Sequence, residues 1–309
     1  LSLLESTSTR YEEARIGLLE WMYTQKSKAA KRIGITGSPG VGKSSFIESL
    51  GQLLCDHGQR VAVLSIDPSS ALSGGSILGD QTRMTELSKR ETAYIRPSPS
   101  RNILGGVAGA TRESIALFEV LSYDYILIET VGVGQSEIAV AQMTDLFLLL
   151  LLPGAGDSLQ GIKRGVVEMA DIIAVNKADG DRVVAASETK RAYKQAIQLF
   201  PPKKSGWETS LHTISSTEWT GIPELITQIQ KYFEFISQNG YLIENRSQQA
   251  LEWFTSSLNK SFLEWVSQYP GLQDHINEQK SMVTANEKAP YLAAKEVILW
   301  LNKQTRKPG

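Results

Sequence analysis

Cysteine is almost missing from this chain. Cys55 stands alone among 309 residues, so no intramolecular disulfide can form, and a reducing, cytoplasmic-type compartment fits. Its neighbours Leu50, Leu53 and Leu54 make the position an apolar helical one, where a buried, inert thiol is expected. Histidine is scarce as well. His57, His212 and His275 are scattered and give no metal-ligand spacing, and no Ser-His-Asp or Cys-His arrangement goes with them. Neither sign of charge is in excess: 32 Lys and Arg face 33 Asp and Glu, a net charge of −1. That balance argues against a nucleic-acid-coating surface, which needs a basic surplus. Two short basic tracts, residues 26–32 and 303–307, read as solvated charge at domain edges. Long hydrophobic runs are absent. The longest, residues 146–152, has seven members, against about 20 for a membrane-spanning helix. It reads as a buried parallel strand, and no membrane partner is expected. No signal-peptide pattern opens the chain. Its first residue is Leu rather than Met, so a trimmed or processed amino terminus is expected.

What is present is a large apolar fraction, 41%, arranged in alternating strand and helix patterns. Residues 1–31 are polar, with Ile16, Leu18, Leu19 and Met22 at the spacing of an amphipathic lead-in helix. Strands are expected over 32–36, 61–66, 125–128, 146–152, 171–175 and 211–214, and a helix over 44–56 that stops near Gly58. Such alternation predicts βαβ units and a doubly wound parallel sheet, an α/β fold. The stretch 69–110 is rich in Ser, Gly and Pro and reads as a long functional loop with two charged helical pieces. After about residue 238 the strand signal ends. Leu251, Phe254, Leu258, Phe262 and Trp265 recur every three or four residues, Pro270-Gly271 interrupts, and a helix resumes behind Pro290. The chain therefore divides into an N-terminal helical extension (1–31), a core domain (32–238) and a C-terminal helical region (239–309).

Each polar motif falls at the carboxyl end of a strand, where ligands bind in such sheets. Gly37-Ser38-Pro39-Gly40-Val41-Gly42-Lys43-Ser44 fits the phosphate-loop pattern G-x-x-x-x-G-K-[ST]. Its glycines let backbone N–H groups turn toward phosphate oxygens, and the helix behind it points its positive end at the same anion. Lys43 is expected on the β- and γ-phosphates and the Ser44 hydroxyl on magnesium. Asn176-Lys177-Ala178-Asp179 follows the fifth strand. An aspartate there can accept the N1–H and N2–H of guanine, a donor pair that adenine lacks. Asn176 is expected to fix the loop and contact the base, with the Lys177 stem over the ring. Glu129-Thr130-Val131-Gly132 stands where GTPases usually carry Asp-x-x-Gly, an acid near magnesium and a glycine facing the γ-phosphate. Asp67 ends the second strand, which is expected beside the phosphate-loop strand. Turn chemistry also explains Asp67, but a role near magnesium is favoured. For Asp80, a solvated acid and a metal-linked switch acid are equally open. Residues 153–164 hold three glycines, with Asp157 and Lys163 able to pair across them.

Together these stretches, with Ser65-Ile66-Asp67-Pro68-Ser69-Ser70 and Gly79-Asp80, resemble one family: the cobalamin-linked GTPase chaperones of acyl-CoA mutases, the MeaB, ArgK and MMAA type. The resemblance implies a phosphate-loop GTPase of the SIMIBI class that hydrolyses GTP to GDP with Mg2+. It implies phosphate contacts at Gly40, Gly42, Lys43, Ser44 and Ser45, magnesium-linked acids at Asp67, Asp80 and Glu129, and a catalytic set of Lys43, Asp80 and Glu129. Guanine specificity maps to Asn176, Lys177 and Asp179 with Ser215 near the base. A mobile switch maps to Gly132, Asp157 and Lys163. The implied partners are an adenosylcobalamin-dependent mutase, usually methylmalonyl-CoA mutase, and a second copy bound through the C-terminal helical arm. The location would be cytoplasmic, or the mitochondrial matrix in a eukaryote. Two other readings stand beside this one. A metallochaperone GTPase would want a His or Cys cluster, and a phosphate-loop kinase or ATPase linked to arginine or ornithine transport would prefer ATP.

Overall fold

The computed structural model describes residues 1–6, 8–66, 84–98, 106–130, 136–154 and 164–305. Seven strands form one parallel sheet: β1 (Lys31–Gly37), β2 (Val61–Ile66), β3 (Ala93–Ser98), β4 (Tyr125–Thr130), β5 (Leu146–Leu151), β6 (Ile172–Val175) and β7 (Ser210–Thr213). Their order is β3-β2-β4-β1-β5-β6-β7. The helices are α1 (Glu12–Thr24), α2 (Lys43–Asp56), α3 (Gly106–Val120), α4 (Ser136–Ala141), α5 (Arg164–Met169), α6 (Val183–Ile197), α7 (Ile222–Gln238), α8 (Tyr241–Ser267), α9 (Leu272–Thr284) and α10 (Pro290–Thr305).

The apolar strand runs have a simple cause: both faces of the sheet are covered. On one face Ile33, Ile35, Leu127 and Leu148 pack with Phe46, Ile47 and Leu50 of α2 and Leu225, Ile229 and Phe233 of α7. On the other, Ile126, Ile128, Phe147 and Leu149 pack with Ile115 and Phe118 of α3, Val140 of α4, Val167 of α5 and Tyr193 of α6. Neighbouring residues of one strand thus alternate between two cores.

The structure corrects two expectations. First, β2 does not neighbour β1. β4 lies between them, pairing Ile128 with Gly34 on one side and with Leu64 on the other. Glu129 is therefore the acid whose strand adjoins the phosphate-loop strand. Second, residues 93–98 form a strand inside the stretch read as a loop. It is the edge strand β3, paired with β2 in parallel. The expected lead-in helix is present as α1, with Leu18 and Leu19 half-buried. Met22 is buried, Ile16 is exposed, and an Arg15–Glu113 ion pair ties α1 to α3.

The chain splits into two compact units, residues 1–250 and 251–309. Within the second, α9 and α10 pack together, with Leu272, Ala293 and Leu301 buried. Trp300 stacks on His275 at 5.3 Å between ring centres. Lys288 bridges Gln279, at 2.9 Å, and Glu296.

Candidate nucleotide site

The loop from β1 into α2 carries the first half of the site. Gly42 sits in the left-handed region at φ 93° as the N-cap of α2. A side chain there would be strained, and a Cβ would lie 2.7 Å from Asn176 Nδ2. The buried Lys43 ammonium donates to the carbonyls of Gly37, at 2.8 Å, and Ser38, at 3.3 Å, so it lies along the inside of the loop. Ser44 lies in the first turn of α2, and its Oγ donates to Glu129 Oε1 at 3.2 Å. Glu129 is buried at the end of β4, opposite Ile35 of β1. Below it, Thr130 Oγ1 donates to Thr36 Oγ1 at 2.9 Å and locks the two strand ends together. The longer glutamate side chain thus reaches Ser44 directly. A hydroxyl beside a carboxylate at a helix start is a hard-oxygen donor set that fits a magnesium ion.

The second half lies beyond β6 and β7. Asn176 is buried, and its Nδ2 donates to Val41 O at 2.9 Å. Its Oδ1 accepts from Ser216 N, at 3.2 Å, and Ser216 Oγ, at 2.8 Å. The amide is thus a brace that joins the phosphate loop to the loop after β7, and in this arrangement both of its ends are used. Lys177 adopts φ 59°, an unusual value for a side-chain-bearing residue, and its Cε lies near Gly42. Asp179 Oδ2 accepts from Ser215 Oγ at 2.6 Å and Thr217 Oγ1 at 3.4 Å, and Oδ1 pairs with Arg182. The Ser215 hydroxyl, with the Arg182 charge behind it, holds the Asp179 carboxyl below its usual range. Asp179 is therefore an anion with fixed oxygens, suited to accept N–H donors.

The fold thus gathers Gly37 to Ser44 with Glu129, and it connects them through Asn176 to Lys177, Asp179 and Ser215. Ser45, on the first turn of α2, is exposed to solvent. Asp67, Asp80, Gly132, Asp157 and Lys163 lie outside the described residues. Ser216, Thr217 and Arg182 were missed by sequence reasoning. The signal for the first two was present: Ser215-Ser216-Thr217 is a run of three hydroxyls at a strand end, next to a loop that needs donors. Among the described residues no cluster of three His, Cys, Asp or Glu side chains could hold a metal. Nor is any described helix long and apolar enough to cross a membrane.

Residues 1–270 match the family profile described as methylmalonyl-CoA mutase-associated GTPase MeaB. The chain belongs to the MeaB family. Among relatives of this MeaB-family chain, a probable GTPase of Mycobacterium tuberculosis is 44% identical over 298 residues, covering 96% of this chain and 88% of that protein. The methylmalonic aciduria type A homolog, mitochondrial, of Mus musculus is 41% identical over 303 residues, covering 95% and 73%. Among solved structures, a LAO/AO transport system kinase superposes with a TM-score of 0.76 at 31% identity, covering 97% of this chain and 91% of that one. The sheet and flanking helices are those of a phosphate-loop GTPase, and the MeaB-family chain is a GTP hydrolase.

Proposed function

We propose that this MeaB-family GTPase is a chaperone of an adenosylcobalamin-dependent acyl-CoA mutase, methylmalonyl-CoA mutase in the first place, and uses GTP hydrolysis to gate cobalamin loading and protection. The observation that carries this reading is the match to a mutase-associated GTPase family over residues 1–270, which spans every motif of the site. In the proposed chemistry, water attacks the γ-phosphate and GDP leaves. The phosphates lie along residues 37–45, with Lys43 and the α2 N-terminus meeting their charge. A magnesium ion held by Ser44 and Glu129, together with Asp67 and Asp80, would neutralise charge on the β- and γ-oxygens. Asp179, set by Ser215, reads guanine, and Lys177 covers the ring. Asn176 braces the loop and, through Val41, reports base binding to the phosphate loop. Gly132, Asp157 and Lys163 form the responsive switch. A second copy binds through α8, and the location is the cytoplasm, or the mitochondrial matrix in a eukaryote.

No described residue stands out as the one that orients the attacking water. Slow intrinsic turnover, raised by the mutase, is therefore expected. The test is GTP turnover by the purified chain with and without the mutase, alongside capture from cell extract on a non-hydrolysable GTP analogue. The reading requires a B12 enzyme among the captured proteins and faster turnover in its presence. Equal rates and no B12 enzyme in any nucleotide state would defeat it. A transport-linked kinase would instead prefer ATP, and the donor-accepting Asp179 loop favours guanine.

A further inference from the structure

The sheet opens along one seam as it reaches the nucleotide site. Between β1 and β4 the backbone pairing ends at Ile35 opposite Glu129. The outer pairs run further: β4 follows β2 to Thr130 opposite Ile66, and β1 follows β5 to Gly37 opposite Leu150. Gly37 lies so close to β5 that a Cβ there would sit 2.6 Å from Leu150 O. The end of β1 is thus drawn toward β5 and the end of β4 toward β2. Ser44, which follows β1 through the phosphate loop, meets Glu129 of β4 at 3.2 Å. One residue past the last β1–β4 pair, Thr36 and Thr130 are 2% and 0% exposed, and their hydroxyls meet at 2.9 Å. The hydroxyl pair carries on where backbone pairing stops. Side chains alternate along a strand, so Glu129 shares the α2 face with Leu127, and Thr130 lies on the other face with Ile128. Two valines would fill the same space. They would not fix a spacing, because apolar contact is non-directional, whereas a hydrogen bond weakens steeply away from its distance and angle.

We propose that Thr36 and Thr130 are positioning residues for magnesium: their hydrogen bond sets the spacing of the β1 and β4 ends, and with it the spacing of Ser44 and Glu129. The inference rests on the proposed reading of Ser44 and Glu129 as the magnesium pair. The threonines act from the opposite face of the sheet, through the backbone that carries those two side chains. Losing their bond should raise the magnesium concentration needed for half-saturation by about two- to tenfold, the range of one net hydrogen bond. Nucleotide binding in the absence of magnesium should not change.

The experiment is binding of a fluorescent N-methylanthraniloyl derivative of a non-hydrolysable GTP analogue to the full chain, titrated with MgCl2 and repeated in EDTA, alongside thermal midpoints. The variants are Thr36→Val, Thr130→Val, the two together, Thr130→Ser and Glu129→Gln. A single valine strands a buried hydroxyl, so each should melt lower than the wild type. The double variant replaces both partners by apolar groups of the same shape and should recover most of that loss. All three should need more magnesium, whereas Thr130→Ser keeps the hydroxyl and should match the wild type. Recovered stability with unrecovered magnesium binding is the signature of positioning. A double variant with the wild-type magnesium response, a Thr130→Ser variant as impaired as Thr130→Val, or equal weakening with and without magnesium overturns the proposal. Glu129→Gln tests the premise. If its magnesium response is unchanged, the magnesium-pair reading itself falls. If its response shifts and those of the valine variants do not, only the positioning role falls.

Discussion

Two glycines of the phosphate loop show how one residue can carry separate constraints. Gly40 and Gly42 both have positive φ, 78° and 93°. A Cβ on Gly40 would meet open space, whereas one on Gly42 would press on Asn176 Nδ2. The left-handed conformation costs a side-chain-bearing residue about 1–2 kcal/mol, and about 1.4 kcal/mol is a factor of ten in affinity. Gly42→Ala should therefore weaken GDP binding by about tenfold or more, because it adds the broken Asn176–Val41 brace to the backbone strain. Gly40→Ala should lose less. Titration of a fluorescent guanine nucleotide into both variants checks the order; equal losses would mean that the brace contributes nothing. At this scale the phosphate loop, Glu129 and Asp179 were legible in the chain, because local spacing dictates their chemistry. The brace was half legible. Asn176 is in a motif, but its partners Val41 and Ser216 are 135 and 40 residues away.

Among the elements, α8 starts with a clamp that composition did not reveal. Arg246 donates from Nε and Nη2 to both oxygens of Asp145, at 2.8 and 2.6 Å, and Nη2 also reaches Ala30 O at 2.6 Å. Its Nη1 lies 3.2 Å from Glu119, which is paired in turn with Arg32 at 2.7 Å. Burial works against the Arg246 charge, yet the Asp145 and Glu119 carboxylates outweigh it and raise the guanidinium pKa. The Asp145 side chain is wholly inaccessible. Removing the arginine would leave the buried Asp145 carboxylate without its cation, while Glu119 keeps Arg32, an effect of about 3–5 kcal/mol. Arg246→Ala should lower the urea midpoint of the full chain accordingly, and a loss under about 1 kcal/mol would refute the clamp. β3 and the β2-β4-β1 order were hidden for a related reason: an edge strand shows a weak period, and pairing order is set by crossovers rather than by any local pattern.

For the molecule as a whole, the unit from residue 251 onward leaves a row of apolar side chains in solvent. Leu251, Phe254, Leu258, Phe262 and Trp265 of α8 are all more than half exposed. Single exposed apolar residues are ordinary, but an aligned row of five is the pattern of a contact surface. If this row is the proposed homodimer face, Leu258→Glu with Phe262→Glu should yield a monomer by light scattering while leaving guanine nucleotide binding intact. A dimer that survives both charges would place the contact elsewhere. Taken by itself, the sequence determined the parallel α/β fold, the guanine nucleotide chemistry and the helical character of the C-terminal region, because each rests on residues close together in the chain and on one repeating period. Only the tertiary structure decided that Glu129 meets Ser44, that Asn176 ties two loops together, that Arg182 lies on Asp179 and that Arg246 grips Asp145. The physical reason is that a hydrogen bond or ion pair needs atoms within about 3 Å. Folding alone decides which distant residues come that close.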